Sequence, residues 1–209
     1  MSKKTECNSW TKQILLYENK FNKSQDEWLK EFKADWVLEG KGITTCNGKY
    51  LSLRSEIYTE PRDNDGHFNL WLKRDFPANI AVEWEFCYAK PGNLGLAILI
   101  WGAKGRGGED IFDPSLPKRR GEVMSDFHSG AMNCYHTSYI ARTRATANLR
   151  KNYGFHLVKE GHDLSTVSNP DEWHLIRVEQ YNCGIRLLFD GNESYTWFDD
   201  GTIGGVPIT

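Results

Sequence analysis

The chain has 209 residues, of which 39% are hydrophobic and 13% aromatic, and its formal net charge at pH 7 is −2. This apolar content can form a sizeable core and excludes a disordered chain, while the near-neutral charge excludes the global basic field that holds nucleic acid. Met1–Trp10 has no apolar signal core, and no apolar run is long enough to span a membrane. We therefore expect a soluble, cytoplasmic protein.

The first third of the chain predicts short strands. Residues 1–12 are a polar lead-in, Ile14–Tyr17 is a candidate first strand, and Asp26–Trp36 has the partial spacing of a turn of helix. Trp36–Gly42 and Tyr50–Arg54 are predicted strands, and Asn47-Gly48 predicts a hairpin turn.

Period-two alternation is strongest in Ile80–Tyr88 and Leu94–Trp101, which flank the turn Pro91-Gly92-Asn93. In the first strand the pattern predicts that Trp84 and Phe86 are buried and that Glu83 and Glu85 lie on the opposite face. In the second it assigns Leu94, Leu96, Ile98 and Ile100 to the core. Gly95, Ala97, Leu99 and Trp101 then form an outer face, where small side chains admit a ligand and the Trp101 ring stacks on it.

Further strands are predicted towards the C-terminus, after a long loop over Lys104–Gly121. They are Met132–Arg142, a short strand at Tyr153–Val158 within an otherwise irregular stretch over 143–170, and a hairpin of Trp173–Gln180 and Gly184–Asp190, with Asp190-Gly191 as the next turn. Many strands with almost no helix favour a sandwich or jelly roll, which we predict as one domain over 1–209. One sheet of such a fold often curves, and its concave outer face becomes a ligand groove.

Phe76–Gly102 and Trp173–Gly191 are similar to the paired strands of concanavalin-A-like glucanase and lectin domains. Together with the more particular segment Met124–Phe155, they give a chain that from Trp36 onward resembles the YesU-like bacterial family, a domain of unknown function. The resemblance implies an all-β, two-sheet antiparallel concanavalin A/galectin-like jelly-roll sandwich, and an association with pathways that degrade pectic rhamnogalacturonan. It implies no catalytic residues. That family would be expected to continue into one more strand after Thr209; if this strand is absent, one sheet has an exposed edge.

Two sets of residues are candidates for catalysis. Glu83 and Glu85 leave one face of a strand at a spacing close to that of the carboxyl pair in a retaining glycosidase, although two acids on a solvated face are more common. Tyr139 and His128 are candidate proton-transfer groups of a polyuronate lyase. His136 shares its strand parity with Met132, Cys134 and Ile140, so a core position is at least as well supported for it.

Candidate ligand-binding residues are Trp101, Asn133, Tyr135, Arg142 and Arg150. The segment Lys118–Lys151 contains seven basic and two acidic residues, and hence carries +5, while the rest of the chain carries −7. This asymmetry predicts an acidic oligosaccharide as partner, because an arginine guanidinium matches a carboxylate. The alternative for these arginines is a solvated surface.

No cofactor and no metal site is predicted, and the five cysteines are expected to be free thiols, since their spacing indicates neither a zinc site nor a disulfide framework. Three functional classes stay open. They are an enzyme, hydrolase or lyase, that acts on pectic oligosaccharides, a non-catalytic lectin-like binder, and a structural or assembly protein with a vestigial groove.

Overall fold

β-strands make up most of the regular structure in the described part of the chain. The computed structural model describes residues 14–57, 66–88, 96–141, 146–166, 169 and 171–209. Its strands are β1 (Trp36–Gly40), β2 (Gly42–Cys46), β3 (Leu51–Ser55), β4 (Phe68–Leu72), β5 (Ile80–Phe86), β6 (Leu96–Gly105), β7 (Met132–Ala141), β8 (Thr146–Asn152), β9 (His156–His162), β10 (His174–Tyr181), β11 (Gly184–Phe189) and β12 (Asn192–Phe198). The α-helices are α1 (Gln25–Asp35) and α2 (Ser125–His128). In these residues no helix has the length and apolar character needed to cross a membrane.

These elements fall into two units. The sandwich unit comprises the described residues of Pro77–Asp113 and Met132–Thr209, and the helix-bearing unit comprises those of Gln13–Phe76 and Pro114–Ala131. The organisation of the chain as one domain stays a prediction.

Two four-stranded antiparallel sheets form the sandwich unit. The β5 sheet has the strand order β12-β11-β10-β5, and the β6 sheet has the order β6-β7-β8-β9. Their facing side chains make one core, whose buried members are Tyr135, Ile140, Ala147, Leu149, Leu164, Ile176, Val178, Ile185, Leu187, Phe189 and Tyr195. The predicted all-β, antiparallel two-sheet sandwich is confirmed.

The faces of the β5 sheet are as predicted. Trp84 and Phe86 pack against the core, and Glu83 and Glu85 are exposed on the outer face. The β10–β11 hairpin is also confirmed, and the two residues that close it, Asn182 and Cys183, have φ of 44° and 68°. Positive φ at both central positions is the geometry of a hairpin turn whose twist matches that of its strands.

The faces of the β6 sheet are the reverse of the prediction. Ala97, Leu99 and Trp101 pack against the core, so the assignment of Ile98 and Ile100 to the core is wrong. Both faces of β6 are apolar, so alternation gives no contrast between them. The pairing of β6 with β7 also shifts register between Ala97 and Ile98. Because side chains alternate with a period of two, choosing the wrong parity assigns every side chain of the strand to the wrong face of the sheet.

The prediction of irregular chain over 143–170 is wrong for 146–152 and 156–162, which form β8 and β9. β8 pairs with both β7 and β9, which makes it a central strand. Lys151 and Asn152 are both buried although they are consecutive and therefore point to opposite faces. Polar residues at buried positions on both faces remove the alternation by which a strand is recognised.

The helix-bearing unit is built around α1. Ser24 Oγ accepts a hydrogen bond from Glu27 N at 3.3 Å, and Glu27 Oε2 accepts one from Ser24 N at 2.8 Å, which is a capping box. Trp28 is buried, and its Nε1 donates to Thr44 Oγ1 at 3.0 Å. This helix of eleven residues is longer than the single turn predicted.

The remaining strands of this unit pair as β1 with β4 and β2 with β3. The predicted turn at Asn47-Gly48 is confirmed between β2 and β3, with Gly48 at a φ of 86°. The predicted strand at Ile14–Tyr17 is wrong, because this segment has no strand conformation and Ile14 and Leu15 are 77% and 75% exposed. A strand needs a hydrogen-bonded neighbour, and the described pairings give this segment none.

Candidate functional site

Three polar residues of β8 alternate on the outer face of the β6 sheet. Asn148, Arg150 and Asn152 are each two residues apart, so their side chains leave the same side of the strand, and the residues between them turn inwards. On β7, His136 lies opposite Arg150 and Cys134 lies opposite Asn152. This face brings together two amides, an imidazole, a guanidinium and a thiol; Cys134, His136 and Asn152 are buried, and Asn148 and Arg150 are half-buried.

Asn152 orients two of its neighbours. Its Nδ2 donates to Cys134 Sγ at 3.2 Å and lies 2.8 Å from His136 Nδ1. Because the amide nitrogen is a donor, Nδ1 accepts, and the neutral His136 ring carries its proton on Nε2. Burial raises the pKa of the Cys134 thiol to about 12. Cys134 is therefore protonated at neutral pH and is a poor nucleophile.

The Phe155 residue fixes the position of Arg150. The guanidinium carbon lies 3.8 Å from the centroid of the Phe155 ring, and Nη1 donates to the Phe155 carbonyl oxygen at 2.9 Å. The same ring lies 5.8 Å from the His136 ring, centroid to centroid. Phe155 has a φ of 57°, a backbone conformation that a bulky residue keeps only where its surroundings hold it. The guanidinium is thus held before any ligand arrives.

Two amide oxygens on this face are buried and make no hydrogen bond within the described residues. They are Oδ1 of Asn148 and Oδ1 of Asn152. Leaving a buried carbonyl oxygen unsatisfied costs about 1–3 kcal/mol, and in native proteins such atoms usually bond to water or a ligand. The hydroxyl group of a ligand, which donates, would satisfy either oxygen.

The inner face below β8 is closed by a polar network. Lys151 Nζ lies 2.8 Å from Asp199 Oδ2, and both side chains are buried. Tyr135 OH donates to the same carboxylate and accepts from Ile208 N at 3.0 Å. Burial raises the pKa of Tyr135, and the hydrogen bond to Asp199 raises it further. Tyr135 is a structural donor inside the sandwich, so its predicted position in a ligand groove is wrong.

Trp101 and Tyr139 also lie inside the sandwich and not in a groove. Trp101 Nε1 donates to Gln180 Oε1 at 2.7 Å, across the two sheets. The Tyr139 ring packs edge-on against Trp84 and Phe86, with centroid distances of 5.1 and 5.0 Å. Burial raises the pKa of Tyr139, which opposes ionisation at its hydroxyl. The predicted outer position of Trp101 is wrong, because the parity of β6 is the reverse of the prediction. Tyr139, a candidate for proton transfer, is enclosed by core side chains.

Glu83 and Glu85 lie on the outer face of the β5 sheet, as predicted. Arg177 Nη1 donates to Glu83 Oε2 at 2.9 Å, and Arg177 Nε donates to Glu179 Oε1 at 2.7 Å. The Glu83 carboxylate is therefore already paired on this face. The use of these two acids as a catalytic pair stays a prediction.

The other predicted site residues are dispersed. Asn133 is half-buried on β7, opposite Lys104. His128 belongs to the helix-bearing unit, where its Nδ1 lies 2.6 Å from Ser129 Oγ. Arg142 lies outside the described residues. Of the predicted ligand-binding set, Arg150 is the residue that the structure places beside polar groups in need of partners.

Sequence reasoning missed Asn148 and Asn152. The signal available was the alternation Asn148-Leu149-Arg150-Lys151-Asn152, with three polar residues of one parity. Lys151 obscured it, because a charged residue on the inner parity is not expected in a core strand.

Comparison with known proteins places the chain in a family. A model described as a domain of unknown function, DUF1961, matches residues 14–209. The chain belongs to the DUF1961 family. A DUF1961-type relative is the uncharacterized protein YesU of Bacillus subtilis strain 168, which is 33% identical over 201 residues that cover 93% of this chain and 84% of YesU. The predicted resemblance is confirmed.

The DUF1961 chain also matches solved structures. The crystal structure of a Bacillus subtilis protein of unknown function with a galectin-like fold aligns with a TM-score of 0.78 at 32% identity, over 93% of this chain and 84% of that chain. The sandwich is therefore galectin-like, as predicted. The Bacillus subtilis carbohydrate-binding module CBM66 aligns with a TM-score of 0.45 at 11% identity, over 79% of this chain and 80% of the module. That similarity is too distant to carry an argument about function.

Proposed function

We propose that this chain is a carbohydrate-binding protein whose ligand lies on the outer face of the β6 sheet, around Asn148, Arg150 and Asn152. The observation that carries the proposal is a pair of buried amide oxygens that make no hydrogen bond within the described part of the chain, on either side of the Arg150 guanidinium that Phe155 positions. Sugar hydroxyls donate as well as accept, so hydroxyl groups of an oligosaccharide can bond to an amide oxygen and to Arg150. Asn148 and Asn152 are four residues, about 13 Å, apart along the strand, so the two amides would contact different sugar residues. The galectin-like sandwich provides a rigid sheet for such a site.

The ligand class we propose is an acidic, pectic oligosaccharide. A guanidinium presents a planar fork that binds a carboxylate through two parallel hydrogen bonds, and Arg150 is half-buried, where such a bond is screened less than in water. A uronate supplies both the carboxylate and the hydroxyl groups. The resemblance to a family associated with rhamnogalacturonan degradation points to the same class of glycan.

The proposal is of binding without cleavage. Cys134, the thiol on this face, has its pKa raised to about 12, and Tyr139 is enclosed by core aromatic rings. Glu83 and Glu85 belong to the outer face of the other sheet. Incubation with galacturonate oligomers should release neither reducing ends nor an unsaturated uronate that absorbs in the ultraviolet.

Calorimetric titration tests the proposal with three ligands of equal length: oligogalacturonate, its methyl ester and a neutral galactan. We expect the acidic oligomer to bind, its affinity to fall as salt is added, and Arg150→Ala to weaken it about tenfold or more, since a lost charged hydrogen bond costs about 1.5–3 kcal/mol. Arg54→Ala is the matched control, because Arg54 is an exposed arginine of β3 in the other unit and its loss changes the net charge equally.

Two results would overturn parts of this proposal. If the protein bound none of the three glycans, the proposal of carbohydrate binding would be overturned. If the acidic and neutral oligomers bound with equal affinity, and neither salt nor Arg150→Ala changed it, carbohydrate binding would stand and the acidic ligand would be ruled out.

A further inference from the structure

The turn between β8 and β9 carries a second guanidinium–aromatic pair beside that of Arg150 and Phe155. The guanidinium carbon of Arg106, in the loop after β6, lies 4.1 Å from the centroid of the Tyr153 ring. Tyr153 and Phe155 are two residues apart, so their Cα atoms are separated by at most about 7.6 Å. One turn therefore presents two aromatic rings, each with a guanidinium over it, and both pairs lie in the sandwich unit.

The two pairs differ in exposure. Phe155 is half-buried and Arg150 is bonded to its carbonyl, whereas Tyr153 is 41% exposed and Arg106 is exposed. A guanidinium stacked on a ring keeps its N–H groups in its own plane, so their hydrogen-bonding edge stays available to an anion. The pair of Arg106 and Tyr153 therefore presents a guanidinium edge and an aromatic ring, as the pair of Arg150 and Phe155 does, but at a more exposed position.

The turn is shaped for this arrangement. Gly154 lies between the two aromatic residues with a φ of 107°, a conformation that side-chain-bearing residues rarely adopt. A Cβ at Gly154 would also collide with the His156 ring. Gly154 and the positive φ of Phe155 together set the directions in which the chain places the two rings.

We propose that Arg106 and Tyr153 form a second subsite, which binds the sugar residue adjacent to the one held by Arg150, so that the protein recognises two consecutive uronates. In this arrangement Tyr153 packs against the apolar face of a sugar ring and Arg106 binds its carboxylate. The inference rests on the proposed function and adds the length and charge pattern of the ligand. It requires that a ligand with two neighbouring carboxylates binds more tightly than one with a single carboxylate.

The test compares monogalacturonate with di- and trigalacturonate on the wild type, Arg106→Ala, Tyr153→Ala and Arg150→Ala, with the thermal unfolding midpoint as a check on folding. We expect Arg106→Ala and Tyr153→Ala to leave the monomer's affinity unchanged and to weaken the dimer and trimer about five- to tenfold. Arg150→Ala should weaken all three. Phe198→Ala is the aromatic control, since Phe198 is 56% exposed on the other sheet, and it should weaken none.

Arg106→Lys separates charge from stacking geometry, because lysine keeps the charge and loses the planar fork. We expect it to restore only part of the dimer's affinity. A dimer that binds wild type and both Arg106→Ala and Tyr153→Ala equally would overturn the second subsite while the proposed function stands. Binding of no galacturonate at all by the wild type would overturn both.

Discussion

At the scale of single residues, Lys151 and Asp199 are the most consequential pair of charges in the sandwich unit. Their side chains are 1% and 0% exposed. The carboxylate also accepts from Tyr135 OH and from Gly201 N at 3.0 Å, and Lys151 Nζ donates to Gly205 O. These bonds attach the chain that follows β12 to the inner face of the β6 sheet. The pair therefore has a structural role, and its charge is not available to a ligand.

Asp199→Asn should destabilise the protein by about 3–5 kcal/mol, because it leaves the buried Lys151 ammonium without an opposite charge. Urea unfolding followed by tryptophan fluorescence measures the change. Asp200→Asn is the matched control, since Asp200 is the exposed neighbour, and its effect should be far smaller. Similar losses for the two variants would show that the Lys151–Asp199 pair contributes nothing particular to stability.

At the scale of elements, the prediction for β6 identifies the strand correctly but assigns the wrong face to the core. The existence of the strand follows from an apolar run after a turn signal. In the structure Trp101 shares a face with Tyr135 of β7, and their ring centroids lie 5.6 Å apart. Which face is inside depends on the opposite sheet, where Gln180 supplies the acceptor for Trp101. That partner lies 79 residues away, so local alternation could not identify it.

Trp101→Phe tests the inner position of β6. The variant keeps an aromatic ring but removes the N–H donor, and thus leaves Gln180 Oε1 without the hydrogen bond that Trp101 provides. We expect a loss of about 1–3 kcal/mol in the free energy of unfolding, with no change in affinity for oligogalacturonate. Trp173→Phe, at an exposed position, should change stability by no more than about 0.5 kcal/mol. If Trp101→Phe instead weakened glycan binding and left stability unchanged, Trp101 would face the ligand and its inner position would be wrong.

β8 shows the opposite limit of sequence reasoning. β5, β10 and β11 were predictable because each has one apolar and one polar face, and the turn at Asp190-Gly191 was predictable because it has the residues that positive φ favours. No strand was predicted after that turn, where β12 lies. β8 was not predictable, because Lys151 is buried by its pairing with Asp199, 48 residues later. The candidate site was missed for the same reason, because Asn148 and Asn152 share a face only when this segment forms a strand.

At the scale of the whole molecule, the charge of the Lys118–Lys151 segment divides between separate roles. Arg119 pairs with Glu39 at 2.8 Å, Arg120 with Asp126 at 2.8 Å and Lys151 with Asp199 at 2.8 Å. Residues 118–131 and 132–151 also belong to different units. A count of charges along a sequence does not include the partners that folding supplies. The proposal of an acidic ligand consequently rests on Arg150 and its surroundings and not on the net charge of the segment.

Arg119→Met tests this division of roles. Arg119 binds Glu39 through two hydrogen bonds, of 3.2 and 2.8 Å, and Trp71 Nε1 donates to the same carboxylate at 2.9 Å. Since the Arg119 side chain is 8% exposed, its loss should strand a largely buried carboxylate and lower the free energy of unfolding by about 3 kcal/mol.

Affinity for oligogalacturonate should be unchanged in Arg119→Met at a temperature where the variant is folded, because the lost cation serves Glu39 and no ligand. Arg120→Met is the matched control: the Arg120 side chain is 64% exposed and that of Asp126 19%, so the loss in stability should be well below that of Arg119→Met, and binding should not change. Chemical denaturation and calorimetric titration of the same samples give both quantities. If Arg119→Met instead weakened binding as much as Arg150→Ala while its unfolding midpoint stayed at the wild-type value, the segment would be acting as one anion-binding surface, and the assignment of the ligand to Arg150 would be wrong.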